Sequence, residues 1–211
     1  MTNKYFIDGK DIYDNYGITV EKADNLLEFP KAKQGIKTSW NDESGSDYDV
    51  TESLVFEEST ITLSCYIGGT SLTQIRNYIT TFIKDVSTAG LHILRSVIYS
   101  EYIPVLYQGC SNLTKVTTIS ASEIYCQFTM TFIKPYPEYK VGTCVTTAPN
   151  EQVEISWLNG KRWIAWIGTH QEDDTTPIQY TVPDVGTYNV VLVGTGVISD
   201  TITKTSNITW L

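Results

Sequence analysis

A chain of 211 residues with 41% hydrophobic and 18% charged residues carries enough apolar material for one large core or two smaller ones, which excludes a disordered chain. Its formal net charge is -9, and the acidic excess is spread out: 12 basic against 17 acidic residues up to Val145, and 3 against 7 after it. No basic face is available for tight binding to a phosphate backbone, whereas an acidic surface suits a passage that DNA crosses without sticking.

The opening stretch Met1 to Asp8 lacks the apolar run of a secretory signal, and nowhere do eighteen apolar residues follow one another. The chain is therefore expected to be made in a cytoplasm and not to insert into a membrane. Tyr5-Phe-Ile-Asp-Gly9 reads as a short strand and turn, and Ile12 to Val20 as further strand, with Tyr13, Tyr16, Ile18 and Val20 as its large residues. Leu26 to Phe29 is expected to form another short strand before Pro30. From Lys31 to Thr51 the chain turns polar and acidic, which predicts a long loop; Trp40 and Tyr48, with Asp47 and Asp49, give it residues for contacting another subunit.

In Thr60 to Ile67 the apolar residues Ile61, Leu63, Cys65 and Ile67 alternate with polar ones, the period of a half-buried strand. Ser71 and Gln74 have capping-box spacing, and Leu72, Ile75, Ile79, Phe82, Ile83 and Val86 form one stripe at steps of three and four. An amphipathic helix over Leu72 to Val86 is predicted, with Gly90 able to close it in the left-handed conformation. Leu91 to Tyr99 and Tyr102 to Tyr107 read as a hairpin, with Pro104 arguing for an edge or a bulge. Lys115 to Ile119 is a modest strand. Ile124 to Phe132 alternates without a fault and is a second central strand, with Ile124, Cys126, Phe128, Met130 and Phe132 inward.

After Pro135-Tyr-Pro137, the polar stretch 142–152 is the candidate linker. Val153 to Trp157 and Trp163 to Ile167 read as a hairpin through Asn159-Gly160. Glu172 to Pro177 reads as a loop, and Ile178 to Val182, Thr187 to Val193 and Thr201 to Trp210 complete a set of strands. About sixty residues in five or six strands predict a small immunoglobulin-like sandwich.

Chemistry has few candidates. His92 sits between Leu91 and Ile93, where a structural role is favoured, and His170 borders Glu172-Asp-Asp174, which lacks the ligand spacing of a calcium loop. Cys65, Cys110, Cys126 and Cys144 show no CxxC spacing and read as buried thiols. No nucleophile elbow, phosphate loop or zinc motif occurs, so no enzyme, cofactor or metal is expected. Trp157, Trp163 and Trp166 cluster in one predicted hairpin. Core packing is the favoured reading, and exposed faces of Trp163 and Trp166 could contact a partner or a glycan.

The ordered set resembles the distal tail protein of long-tailed bacteriophages and, more broadly, the phage tail-tube fold. Its carriers are Tyr5-Phe-Ile-Asp-Gly-Lys10 with Tyr16-Gly-Ile-Thr-Val20, the long loop ending in Asp47-Tyr-Asp49, the strand at Ile61 to Cys65, the helix, and Phe128 to Phe132 with Lys134-Pro-Tyr-Pro137. The resemblance implies a mainly β fold: a tail-tube-like β-sandwich with one flanking helix over 1–141, then the linker and the small sandwich over 153–211. It implies a structural protein of a phage or prophage tail, made in the bacterial host cytoplasm and incorporated in the virion. There it would form a hexameric ring at the distal end of the tube, with the tube and tail-hub proteins as partners and DNA passing through the lumen. The long loop would contact the adjacent ring or subunit. The alternatives are a major tail-tube subunit with an appended sandwich and a carbohydrate-binding module using the tryptophans. Larger members carry a galectin-like carboxy-terminal domain, for which the remaining residues here are too few.

Overall fold

The computed structural model describes residues 4–29, 31–33, 37–38, 47–48, 56–120, 123–135, 139–157, 163–173, 177–194, 202–205 and 207–211. Strands β1 (Tyr5–Ile7) and β2 (Lys10–Asp11) pair across Asp8-Gly9, both at positive φ, 49° and 77°. A two-residue turn of this kind matches the right-handed twist of the strands it joins.

The next segment departs from the sequence expectation. Ile12–Tyr16 is a short helix, α1, rather than strand. The Asp11 carboxylate accepts from the amides of Tyr13 and Asp14, and Gly17 at φ 64° closes the turn, so the two caps override the strand-like spacing of the tyrosines. Strand β3 (Ile18–Asp24) follows. The strand expected over Leu26 to Phe29 is a turn instead: Asn25 adopts φ 65°, and its carbonyl accepts from Glu28 N. The long segment predicted as a loop carries two short paired strands, β4 (Lys37–Thr38) and β5 (Asp47–Tyr48).

Strand β6 (Ser59–Gly69) buries Ile61, Leu63, Cys65 and Ile67 as its alternation predicts. Helix α2 (Leu72–Val86) starts at Ser71, whose hydroxyl accepts from Gln74 N, while Gln74 Oε1 takes the amide and hydroxyl of Thr70 rather than the Ser71 amide. The capping box is thus shifted by one residue on its return arm. Replacing Ser71 with alanine is expected to cost about 1 kcal/mol, read as a lower denaturant midpoint at unchanged slope. The helix ends at Ser87 with an ordinary φ of -98°, not at Gly90. Gly90, at φ 101°, instead lets the chain pass the carbonyl of Gly168, where a Cβ would lie 3.0 Å from that oxygen.

Strands β7 (His92–Ser96) and β8 (Tyr102–Cys110) form the predicted hairpin. Pro104 pairs with β7 on one side, and the register of β8 with its other neighbour begins only at Leu106, so the missing amide is tolerated. Strands β9 (Thr114–Ser120) and β10 (Glu123–Lys134) complete an eight-stranded antiparallel sheet of order β2-β1-β7-β8-β10-β6-β3, with β9 also on β10. The sheet wraps a core in which Cys126, Phe128, Met130 and Phe132 meet Leu94, Ile103 and Val105, and both helices close it. Tyr16 of α1 meets Phe82 of α2 edge-to-face at 5.0 Å and 88°.

The second unit begins earlier than expected. Within the stretch predicted as a linker, 142–146 belongs to β11 (Tyr139–Thr146), because Val141 and Cys144 have hydrophobic partners that local polarity does not reveal. Then come β12 (Glu151–Trp157), β13 (Trp163–Ile167), β14 (His170–Asp173), β15 (Ile178–Val182), β16 (Gly186–Gly194), β17 (Ile202–Thr205) and β18 (Ile208–Trp210). They make a five-stranded sheet, β14-β13-β16-β11-β18, and a three-stranded one, β15-β12-β17, with the expected loop at Glu172 partly strand. Contrary to the predicted hairpin, β12 and β13 lie in different sheets. Val153, Ile155 and Trp157 on one strand and Trp163, Ala165 and Ile167 on the other are all buried in one core. Each strand therefore turns its apolar face toward the opposite sheet. Tyr188 OH donates to the Asp184 carbonyl four residues upstream at 3.0 Å, a tie that pins the start of β16.

A third cluster joins the units: Leu91 and Ile93 from the first, Val141, Val191 and Val193 from the second, with Tyr102, Tyr139 and Trp166 around them. In β16 the run Val190 to Val193 is buried at every position, since Val190 and Leu192 face the sandwich core and Val191 and Val193 face the joint.

Candidate assembly surfaces

Among the residues nominated from sequence, Trp40 and Asp49 lie outside the described residues. Asp47 and Tyr48 form β5, antiparallel to and in register with Thr38 and Lys37 of β4. Trp163 is 3% exposed inside the second sandwich, and Trp166 is half-buried in the joint. The structure brings neither into a shared exposed aromatic face.

The exposed apolar residues lie elsewhere. Val97, Ile98 and Tyr99 form the β7–β8 turn and are all exposed, Ile98 to 56%. Val97 N donates to the Lys4 carbonyl, which ties this tip to the first strand. Leu27 and Phe29 follow β3, and Phe29 is 89% exposed. In the sequence Val97 to Tyr99 reads as the end of a strand, because exposure of a turn leaves no mark on hydrophobicity. A groove of about 440 Å³ lies between β1, α1 and β3, lined by Lys4, Asp11, Tyr13, Asp14, Ile18 and Val20 among others.

Beside this groove runs β3, which among the described residues pairs only with β6 and has no strand on its other edge. A bulge at Glu21, between Val20 and Lys22, and a tight Lys22–Asp24 ion pair interrupt that edge, two devices that discourage indiscriminate strand pairing. Charge is locally ordered at the groove. Lys4 Nζ lies 3.2 Å from Asp11 Oδ2 and 3.6 Å from Asp14 Oδ2. Burial alone would raise the Asp11 pKa, but the amides of Asp14 and Tyr13 and the Lys4 ammonium outweigh it, so the carboxyl stays below its usual range. Asp85, near the end of α2, accepts from Tyr16 OH at 2.7 Å and Lys10 Nζ at 2.9 Å, which hold its pKa down and fasten both helices to the β1–β2 hairpin.

His92 has the structural role its position suggests. Its Nδ1 lies 2.7 Å from Asp8 Oδ2 and its Nε2 3.3 Å from the Thr88 carbonyl, while Ile93 N donates to Asp8 Oδ1. Burial opposes the charged ring, yet the hydrogen bond and charge of Asp8, the Thr88 carbonyl and the charge of Asp85 together raise the pKa above the ordinary histidine value. A histidine with a raised folded pKa contributes stability below its unfolded pKa of about 6.5 and loses it as pH rises through the folded value. Unfolding free energy from denaturant melts is therefore expected to fall as pH is raised upward from about 6. Asp8→Asn keeps the positive-φ turn, and it should flatten that slope; an unchanged slope would remove His92 as its source.

All four cysteines are free thiols; Cys65, Cys126 and Cys144 are buried and Cys110 is half-buried. Among the described residues no group of three or more His, Cys, Asp or Glu side chains converges as metal ligands, and no helix is long and apolar enough to cross a membrane.

No protein-family model matches the sequence, and no curated protein does either. The fold is similar to that of the SPP1 Dit protein (gp 19.1), described as a paradigm of the hub adsorption apparatus in phages infecting Gram-positive hosts. The two share 11% identity at a TM-score of 0.51, over 91% of this chain and 98% of that one. Two structures of the phage p2 baseplate in its activated conformation, with calcium and with strontium, also align. Each is 13% identical over 99% of this chain and 87% of theirs, with TM-scores of 0.47 and 0.44.

Proposed function

We propose that this chain is a structural component of a phage tail that forms a ring at the distal end of the tail tube and joins the tube to the tail tip. The observation that carries the reading is the fold shared with the SPP1 Dit protein, which extends through both units and nearly the whole of each chain. The predicted order of opening strand, central strand and helix points to the same class of protein independently of any overall sequence likeness. A fold can host several roles, so the test is assembly itself.

Six copies joined head to tail would close into a ring. The acidic excess of each copy would then be repeated around the lumen and keep passing DNA from sticking. Electron microscopy of tails containing the protein, or of the purified chain at high concentration, should reveal six-fold rings with a neutral to acidic inner wall. A channel lined by Lys and Arg, or no ring under either condition, would defeat the proposal. Long tubes of the chain alone would instead identify the tube subunit.

A further inference from the structure

Strand register places one cation between two aromatic rings on the first unit. Phe6 of β1 pairs with Arg95 of β7, and Arg95 pairs with Tyr102 of β8, so the three side chains share one row on one face of the sheet. The guanidinium lies 5.8 Å from the centre of the Phe6 ring and 5.0 Å from that of Tyr102. Its Nε is buried without a hydrogen-bond partner. Lys4, Lys10, Lys22 and Lys31 each form an ion pair with a carboxylate, whereas half-buried Arg95 forms none among the described residues. Next to it stand the exposed Val97, Ile98 and Tyr99 of the β7–β8 turn.

A face of opposite charge lies at the same end of the strands. The turn after β3 exposes Leu27 and Phe29, and the segment entering β6 exposes Glu57 and Glu58. The two segments are tied together: Ala32 bridges to Phe56, and Glu57 N donates to the Lys31 carbonyl. Asp24 and Glu28 are paired with Lys22 and Lys31, while Glu57 and Glu58 have no cationic partner among the described residues. Asp24, the last residue of β3, pairs with Thr62, and Thr62 with Thr131; two residues further on, Ile133 pairs with Leu106 of β8, the strand that starts at Tyr102. We propose that the Arg95 face of one copy docks on the Leu27, Phe29, Glu57 and Glu58 face of the next. Arg95 then ion-pairs with a glutamate of that copy, and the Val97 to Tyr99 turn packs on its Leu27 and Phe29.

Charge complementarity selects a second copy as the occupant. Each chain carries a net charge of -9, so two copies repel overall and meet best where a local cation faces local carboxylates. A planar guanidinium can hold a carboxylate by two parallel hydrogen bonds, and stacking on rings fixes its plane in advance. Arginine and aromatic rings beside exposed aliphatic side chains are also the composition of an interface centre. The two faces differ, which makes the contact head to tail. Both lie at one end of the strands, so a rotation about an axis along the strands joins them with little rise, and a ring closes instead of a helix growing.

This contact rests on the ring reading above and names the surfaces that make the ring. Sedimentation velocity and electron microscopy of the full chain over a concentration series test it. Arg95→Glu, and Glu57→Arg with Glu58→Arg, should each raise the concentration for half-assembly roughly tenfold or more. All three reversals together should restore assembly. Ile98→Asp and Phe29→Asp alter side chains that are 56% and 89% exposed, so they keep the fold, checked by circular dichroism, and should weaken assembly as well. Val185→Asp, exposed on the second unit, should leave it unchanged. A parent chain that forms no ring would defeat the ring reading and this contact with it. Parent rings that the single-face variants form just as readily, or that the combined reversal does not restore, would overturn the contact and leave the ring reading standing.

Discussion

Replacing Phe82 with alanine is expected to lower the stability of the chain by about 3–5 kcal/mol, the range for truncating a fully buried phenylalanine. Phe82 is wholly buried at the centre of the α2 stripe, with Ile75, Ile79 and Val86 in the same core. The substitution removes the ring that Tyr16 meets edge-to-face, so it loosens α1 as well as α2. Tyr16 is also a ligand of Asp85, and the polar tie between the two helices should weaken with it. Chemical denaturation followed by circular dichroism measures the loss. Phe82→Leu is the useful companion, because it refills most of the volume and should recover more than half of the cost. A loss below about 1 kcal/mol in the alanine variant would mean that α2 contributes little to the first core.

The second large effect is at the joint. Val193 is fully buried and faces Leu91, Ile93 and Val141 rather than the sandwich core. Val193→Asp places a carboxylate among the apolar side chains of Leu91, Ile93, Val141 and Val191, at an expected cost of about 3–5 kcal/mol, the scale of an uncompensated buried charge. The residue also lies in register with Tyr139 and Ile164, so its backbone pairing can survive while the joint opens. Calorimetry should then resolve two transitions where the parent chain is expected to show one, and X-ray scattering should record a larger radius of gyration. Val145→Asp is the control, since Val145 is 51% exposed and tolerates a charge. One unshifted transition in the Val193 variant would show that the joint does not couple the units.

These two residues also mark what could be read from the chain. Phe82 was legible because an amphipathic helix repeats its contacts every three or four residues, and fifteen residues repeat them often enough to be unambiguous. Val193 was legible as strand, and the unbroken run Val190 to Val193 is the mark of a strand covered on both faces, but nothing local says which body covers the second face. The same limit explains the tryptophans. Strand parity separates Trp163 from Trp166, yet only the packed units decide that one enters the sandwich and the other enters the joint.

The sequence by itself determined the mainly β character, the two central strands, helix α2 with its cap and the β7–β8 hairpin, all features whose physical cause lies within a few consecutive residues. Tertiary structure alone decided that β12 and β13 lie in different sheets, that Gly90 serves an approach between units rather than a helix end, and that Val141 and Cys144 make part of the supposed linker a strand. The physical reason is common to all of these: periodicity records that a face is buried, whereas the partner that buries it is chosen by contacts distant in sequence, whose free energy appears only when the units pack.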